Sequence, residues 1–470
     1  MIIKRAFNNF IWLFVSEVSS KGLIFLGTIY LARVLGKAGF GLYSLALAVG
    51  VYFWIVVDMG IIGYGTREVA RNKEKAAELY SLLNSLRFIL AISLFLIFCA
   101  ALYIVDMSPE KRLILLAGGF YVVGYSLSPD WVFRGLEKMQ FVALGNIVTS
   151  LIFVTGIYLF VKESSGTFWA SLIYSCSFLF GSLVLLIIIN KELKIPFSFN
   201  ISFTKWRFHV RESFYFAINS GFNNLSLFIP IFFMGFLSTD EDLGAFSAPH
   251  RLIILVINAS SLSIAALYPV LSSLYMTNRD DFKKTHVSFQ KMIIWIALPV
   301  CIIATILSKN IVTFIFGVSY QDSAGIFTVL IWLSFLAIIR YSFGNALISA
   351  NFHRFNMFAT GAGAAFVTLT CVMLIPRYSG YGAAWALISG EIVTMFLMVG
   401  LFRKKLGFSG LLRPHILKVL LASMIMSIVI IILHSSAIPT ALIGFFIYGV
   451  LSWSIGIISK KKIQEIFIKE

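Results

Sequence analysis

The chain is built from long apolar runs that are separated by short polar segments. Each run holds about 20 mainly apolar residues, the length that a helix needs to cross the hydrocarbon core of a bilayer. Strands of a membrane barrel are about half as long and alternate in polarity, so the pattern predicts an all-α integral membrane protein. We expect about fourteen transmembrane helices, at residues 10–35, 40–65, 83–105, 113–130, 141–161, 168–189, 214–237, 247–272, 288–308, 322–348, 357–375, 381–402, 416–433 and 440–459.

Composition supports a lipid environment. Hydrophobic residues make up 59% of the 470 residues and charged residues 13%, with a mean hydropathy of +0.92. Soluble domains carry about 25% charged residues, so this chain has too little polar surface to remain in solution. The net charge of +17 does not indicate nucleic-acid binding, because the basic residues punctuate the apolar runs and form no continuous patch.

Lysine and arginine lie mainly in alternate polar segments. If the N-terminus is inside, the inner segments hold 28 of the 38 basic residues. Cytoplasmic loops of membrane proteins carry such an excess. The chain is therefore predicted to lie in the inner (cytoplasmic) membrane with both termini in the cytoplasm.

Two basic inner segments, residues 190–212 and residues 403–418, divide the predicted helices into sets of six, six and two. The predicted organisation has an N-terminal six-helix lobe, a cytoplasmic basic linker, a C-terminal six-helix lobe, and a basic loop followed by helices 13–14 and a cytoplasmic tail. The corresponding ranges are 1–190, 191–213, 214–402 and 403–470.

Short segments recur at equivalent places in the two sets of six, which indicates an internal duplication. Since each set holds an even number of helices, the two halves would run in the same sense, as parallel repeats about an axis along the membrane normal. The recurring pairs are 39–44 with 242–247, 134–139 with 351–355, and 165–167 with 379–381.

Four motifs carry a likeness to a known family: Arg33-Val34-Leu35-Gly36 followed by Gly39-Phe40-Gly41-Leu42-Tyr43; Asp58-Met59-Gly60-Ile61 with Gly65-Thr66-Arg67-Glu68; the run from Pro129 to Met139; and Tyr268-Pro269-Val270-Leu271. They resemble the polysaccharide repeat-unit (O-antigen, Wzx-type) flippases of the multidrug/oligosaccharidyl-lipid/polysaccharide exporter superfamily. The run from Pro129 to Met139 is the most specific, and the family usually has Gln where this chain has Arg134.

The resemblance implies two six-helix lobes around a central cavity, alternating access, and a polyprenyl-pyrophosphate-linked oligosaccharide as cargo. Such a flippase moves its cargo from the cytoplasmic to the outer leaflet for surface polysaccharide biosynthesis. A polymerase and glycosyltransferases of the same pathway are candidate partners. The alternative is a cation-coupled multidrug exporter on the same fold, and a third class is a membrane enzyme of the same pathway.

Charged residues inside a bilayer are costly, so each one is a candidate functional residue. Three cations, spread from the inner to the outer half, are candidates for binding the pyrophosphate: Lys21, Arg251 and Arg340. Three carboxylates are candidates for coupling or for lining the cavity: Glu17, Asp58 and Glu391.

Most of these candidates have a structural alternative. Glu17 and Lys21 lie one helical turn apart and can neutralise each other while fixing helix packing. Asp58 can cap or snorkel at a helix end, and an arginine near a helix end can snorkel to the interface. Glu391 lies near the middle of its predicted helix, where snorkelling is difficult.

Motifs of enzymatic chemistry are weak in this sequence. Asp240-Glu241-Asp242 matches the D-x-D metal motif of glycosyltransferases, but a solvated acidic turn in an outer loop is the favoured interpretation. The sequence holds no G-x-x-x-x-G-K-[ST] loop and no H-E-x-x-H motif. We therefore expect no enzyme, no metal and no cofactor. A gradient of cargo, of protons or sodium, or the membrane potential would supply the energy, with Glu391 as the favoured proton site.

Overall fold

The computed structural model describes residues 2–196, 198–265, 267–407, 413–433 and 437–454. Within these ranges the regular secondary structure is helical. The α-helices are α1 (Ile2–Asp58), α2 (Ile61–Arg71), α3 (Ala76–Ile104), α4 (Pro109–Gly119), α5 (Tyr121–Ser126), α6 (Asp130–Gly135), α7 (Met139–Phe160), α8 (Thr167–Leu193), α9 (Phe203–Leu237), α10 (Asp240–Ala265), α11 (Tyr268–Thr277), α12 (Arg279–Ile306), α13 (Ser308–Phe316), α14 (Ser323–Ser349), α15 (His353–Leu406), α16 (Arg413–Leu433) and α17 (Ala437–Ser454). The predicted cytoplasmic tail, the last residues of predicted helix fourteen and part of the basic segment 403–418 lie outside the described residues.

Two of these helices are far longer than one bilayer crossing needs, α1 with 57 residues and α15 with 54, and each contains one break. The backbone leaves the helical region at Gly36 (φ 68°) in α1 and at Ser379 (φ 46°) in α15. A positive φ is readily adopted by glycine, which explains why the turn between the first two predicted helices lies at Gly36. Each break therefore divides one long helix into two segments of membrane-crossing length.

Ten helices of the described chain are long and apolar enough to cross a membrane. Counting the two broken helices as two crossings each, and adding the shorter apolar helices Leu225–Leu237 and Pro439–Ser454, accounts for the predicted set of about fourteen. The prediction of an all-α, multi-pass membrane protein is confirmed.

The chain divides into two compact units between Ser247 and Ala248. This division falls inside α10, after the predicted linker at 191–213. Helix α9 belongs to the first unit because it packs against α1, α2 and α3. The four-part organisation predicted from the sequence stays a prediction.

Backbone atoms approach each other closely where the second half of α1 meets the start of α10, inside the first unit. A Cβ atom at Gly41 would collide with the carbonyl oxygen of Asp240, and a Cβ at Gly244 would collide with that of Lys37. Lys111 of α4 extends this contact, because its Nζ lies 2.9 Å from Oδ1 of Asp240. We call the packing of Gly41 on Gly244 the glycine contact. It joins the recurring segments 39–44 and 242–247.

Each unit also contains a close helix crossing built from glycine and threonine. In the first unit, a Cβ at Gly181 of α8 would collide with Oγ1 of Thr149 in α7. In the second unit, a Cβ at Gly363 would collide with Oγ1 of Thr394, and both residues lie in α15 on either side of its break. Small residues allow such close crossings in membrane proteins. The crossings occupy predicted helices five and six and predicted helices eleven and twelve, which agrees with an internal duplication.

The last two helices attach to the second unit through α12. Trp295 of α12 donates its Nε1 hydrogen to Oγ of Ser452 at 3.0 Å, and the Tyr448 hydroxyl donates to the Trp295 carbonyl at 2.8 Å. Helix α14 packs on α12 and along α15. The second unit therefore has α12 and α14 at its centre.

Candidate functional site

Glu17 and Lys21 form an ion pair on the first half of α1. Lys21 Nζ lies 2.6 Å from Oε2 of Glu17, and the side chains are 44% and 23% exposed respectively. The spacing of four residues places both on one face, with the acidic residue nearer the N-terminus, the favourable order. The predicted pair is thus formed, and the lysine remains the more accessible partner.

Asp58 lies in the turn that joins α1 to α2. Its carboxylate accepts hydrogen bonds from the backbone N–H of Gly60 at 3.1 Å and of Ile62 at 3.2 Å. Met59 and Gly60 both have a positive φ, of 44° and 77°. Asp58 therefore satisfies free N–H groups at the start of α2, which is the capping alternative considered for this residue.

Arg340 and Glu391 form a buried ion pair in the second unit. The guanidinium Nε of Arg340 in α14 donates to Oε1 of Glu391 in the second half of α15. The side chains are only 8% and 13% exposed. The guanidinium also lies over the ring of Tyr341, 4.4 Å from its centroid. The favoured proton site and one of the three candidate cations thus neutralise each other.

Arg251 differs from the other five candidate residues. Its Nε and Nη2 atoms are buried and have no hydrogen-bond partner in the described part of the chain. Buried N–H groups of a guanidinium without an acceptor are unfavourable. This side chain, near the start of the second unit, is therefore positioned to gain from an anion that approaches it.

The run from Pro129 to Met139 docks the short helix α6 onto α2 and α3. Trp131 is fully buried and packs so closely on Gly65 that a Cβ there would collide with the indole ring. Its Nε1 hydrogen is donated to Oδ1 of Asn84 at 3.1 Å, and Thr66 Oγ1 donates to its carbonyl at 3.2 Å. The motif therefore fixes the position of a predicted inner loop.

Arg134, where the resembled family usually has Gln, has a local ionic partner. Its Nε lies 3.5 Å from Oδ2 of Asp130, one helical turn earlier in α6. The two side chains are 30% and 14% exposed. The substituted cation is thus compensated within the motif itself.

Comparison with known proteins identifies the family. The family model for polysaccharide biosynthesis proteins matches residues 6–275, more than half of the chain. The chain belongs to the polysaccharide biosynthesis protein family. This confirms the likeness drawn from the four motifs.

This polysaccharide biosynthesis protein is also similar to a sequence relative and to two solved structures. The "Putative O-antigen transporter" of Escherichia coli (strain K12) is 23% identical over 402 residues, which cover 83% of this chain and 95% of that protein. The lipid II flippase MurJ in an inward closed conformation is 15% identical, with a TM-score of 0.74, covering 94% of this chain and 98% of the other. A multidrug resistance MATE family transporter of the MOP superfamily, in an inward-facing conformation, is 14% identical, with a TM-score of 0.66 and coverages of 85% and 98%. At these identities the two structures establish a shared fold.

The structural role of Arg87 was not predicted from the sequence, where this residue was only one cation of an inner segment. Arg87 is fully buried, and its Nη1 and Nη2 donate to the carbonyl oxygens of Ser128 at 3.0 Å and Tyr125 at 3.3 Å. It therefore holds the chain that leads into the Pro129–Met139 run. The available signal was a polar stripe of buried residues on the same helix, at Ser81, Asn84 and Ser85.

Sequence reasoning also missed the contact between Tyr64 and His209. The Tyr64 hydroxyl lies 2.7 Å from Nδ1 of His209, and Arg67 lies over the rings of Tyr64 and Phe216, at 5.4 Å and 5.2 Å from their centroids. Burial lowers the pKa of His209 below its ordinary value, although the charge of Glu68 opposes this shift. A neutral imidazole therefore links the predicted linker to α2.

We expect that removing one member of the Arg340–Glu391 pair destabilises the protein, whereas replacing both members by apolar residues does not. The variant R340M leaves a buried carboxylate without its partner, so it should lower the free energy of unfolding by about 3–5 kcal/mol. The double variant R340M/E391M replaces both charges by apolar groups and should recover most of this loss. Unfolding of purified protein in detergent measures both.

The exposed pair of Lys205 and Glu78, at 2.7 Å and about half exposed, supplies the control. K205M should change the same free energy by less than about 1 kcal/mol. A double variant no more stable than R340M would show that the pair contributes more than charge compensation.

Proposed function

We propose that this protein is a flippase that moves a polyprenyl-pyrophosphate-linked oligosaccharide from the cytoplasmic to the outer leaflet for surface polysaccharide biosynthesis. The observation that carries the proposal is the environment of Arg251, whose buried Nε and Nη2 lack a partner in the described chain. A pyrophosphate supplies the charged acceptor oxygens that a guanidinium binds best. The cargo completes this site and lowers the cost of both charges inside the membrane.

The state of the other charged candidates favours an anionic cargo over a cationic drug. Glu17 is held by Lys21, Glu391 by Arg340, and Asp58 by backbone N–H groups. An exporter of cationic drugs needs carboxylates that are free to bind a cationic substrate. In our proposal Lys21 and Arg251 bind the pyrophosphate, and Arg340 joins them when its pair with Glu391 opens.

Alternating access is the proposed transport cycle, and the glycine contact supports it. The packing of Gly41 on Gly244 joins a helix of the first set of six to a helix of the second set. The ion pair of Lys111 with Asp240 lies beside the glycine contact and reinforces it. In the proposed cycle the glycine contact is closed while cargo enters from the inside. It separates when cargo is released outside, and the polyprenyl tail stays in lipid throughout.

Transport rather than glycosyl transfer is the proposed role of the whole chain. Both aspartates of the D-x-D match have partners for their carboxylates: Asp240 pairs with Lys111, and Oγ of Ser238 donates to Oδ2 of Asp242 at 3.4 Å at the start of α10. Carboxylates near a helix N-terminus are stabilised there by the helix dipole. We propose a polymerase and glycosyltransferases of the same pathway as partners that use or supply the cargo.

The membrane potential is the proposed driving force. A potential that is negative inside favours outward movement of an anion, by about 2.3 kcal/mol per charge per 100 mV. A dianion gains about 4–5 kcal/mol per 100 mV, less whatever is lost when cations accompany it. Glu391 is the proposed site for a counter-moving proton, because protonation of its carboxylate would release Arg340.

We expect Arg251 to be required for transport of the anionic cargo. R251Q should lower the rate of translocation in liposomes by about tenfold to a hundredfold, since a charge-assisted hydrogen bond contributes about 1.5–3 kcal/mol. R251K keeps the charge and should retain part of the rate. K284Q, at a lysine that is 79% exposed, is the matched control and should behave as the native chain does. Full activity of R251Q would refute the site.

We expect the rate to follow an imposed potassium–valinomycin potential and to rise when the cytoplasmic side is negative. E391Q should abolish the dependence on the pH gradient while leaving the dependence on potential. E163Q, at an exposed carboxylate, is its control. A rate indifferent to both gradients would leave downhill exchange of cargo as the mechanism. An unchanged pH response in E391Q would remove only the proton site.

We propose an inner-membrane location with both termini in the cytoplasm. Lys162 precedes α8 and Lys191 lies in its last turn, and both side chains are exposed. Cysteines placed there, in a chain whose four natural cysteines are replaced by alanine, should react with impermeant thiol reagents from opposite sides. The cysteine at 191 should react from the cytoplasmic side. Reaction of both from one side would overturn this topology.

A further inference from the structure

The chain between α8 and the first turns of α9 is fastened along α3. We call residues 198–214 the linker strap. Ser198 Oγ donates to Oγ of Ser81 at 3.0 Å, and the N–H of Asn200 donates to Oγ of Ser85 at 3.0 Å. The strap therefore keeps a defined face toward the protein and leaves another face outward.

The start of α9 continues this attachment. Trp206 is 6% exposed and donates its Nε1 hydrogen to the carbonyl oxygen of Leu82 at 3.0 Å. One residue earlier, Lys205 pairs with Glu78 at 2.7 Å. Val210 and Ser213 follow Trp206 at helical spacing on the inward side, and Ser213 is fully buried. These contacts fix the rotation of the helix about its axis.

The outward face of the strap combines large aromatic side chains with two arginines. Phe203, Arg207, Arg211 and Phe214 are all exposed, and their spacing of four, four and three residues places them along one face of α9. Phe203 is 78% and Phe214 is 59% exposed. The neighbouring exposed apolar side chains are Phe199, Ile201 and Phe208.

Neither water nor hydrocarbon suits this face. Five exposed large apolar side chains within sixteen residues form a patch that water does not favour. The two guanidinium groups beside them are costly in the hydrocarbon core. The boundary of a bilayer satisfies both, because aromatic rings enter the acyl region while cations stay among the head groups.

Charge decides which head groups fit. Arg207 and Arg211 form no ion pair in the described chain, whereas Lys205 is already engaged by Glu78. Lys191 and Lys194, just before the strap, are exposed as well, against the acidic residues Glu192 and Glu212. The balance is positive, so an anionic surface is complementary. Continuity of α9 with the apolar helix Leu225–Leu237 places the strap next to the membrane.

We propose that the linker strap is a binding surface for anionic phospholipid head groups, with Arg207 and Arg211 holding the phosphates and Phe203, Phe208 and Phe214 inserted among the acyl chains. This surface is separate from Arg251 and does not depend on the cargo. Because the strap is tied to α3 and, through His209, to α2, lipid bound there stabilises the arrangement of these helices.

The purified full chain, titrated with phosphatidylglycerol or phosphatidylcholine in detergent, tests the proposal. Native mass spectrometry counts the bound lipids, and the thermal unfolding midpoint reports their stabilisation. Each basic residue near an anionic surface contributes about fivefold to affinity. R207Q/R211Q should therefore bind phosphatidylglycerol about 25-fold more weakly, and R207K/R211K should bind it as the native chain does. Phosphatidylcholine binding should not change in either variant.

A matched control removes two exposed basic residues from another predicted inner segment. R403Q/K404Q changes the net charge by the same amount and should retain at least half of the phosphatidylglycerol-dependent stabilisation. An equal loss in both double variants would show general attraction and overturn the strap as the site. Inorganic pyrophosphate should not displace the lipid. If it does, the strap is a phosphate site for soluble anions, and the lipid proposal is wrong.

Discussion

The cost of placing a charge in hydrocarbon governs where the ionisable residues of this protein lie. A charged side chain at the centre of a bilayer costs about 2.5–3.5 kcal/mol or more unless it is compensated. Glu17 and Lys21 compensate each other along one helix, and Arg340 and Glu391 do so between two helices. Arg251 is the exception among the candidate residues of the described chain. In the proposed function, the pyrophosphate of the cargo supplies the partner that Arg251 lacks.

The sequence predicts features that are decided within a few residues. The apolar runs give the helices, and the break at Gly36 lies where a turn was expected. The pair of Glu17 with Lys21 follows from a spacing of four residues. By contrast, Arg340 and Glu391 are 51 positions apart, and only the packing of α14 on α15 brings them together. Pattern alone could place these two at membrane depth but could not pair them.

The run from Pro129 to Met139 shows the same difference between features that are local in sequence and features that depend on packing. Its sequence marks the family, but its physical role depends on two other helices. Trp131 requires the missing side chain at Gly65 and the amide of Asn84, while Arg87 holds the preceding turn by its carbonyl oxygens. Loss of the Trp131 side chain would leave a cavity beside Gly65 and an amide of Asn84 without its partner. Arg87, which lies outside the motif, belongs to the same unit of packing.

In the proposed transport cycle, the glycine contact has a consequence for the energies of the two conformations. Its surface is mainly backbone, so it holds little apolar area, and the hydrophobic effect scales with buried apolar area. Separating it therefore exposes little area that water disfavours. Two conformations whose energies differ by only a few kcal/mol can both be populated, and a ligand that prefers one can shift the balance. In the proposed cycle, a contact built from large apolar side chains would favour one conformation more strongly, whereas the glycine contact keeps the equilibrium within reach of the free energy of cargo binding.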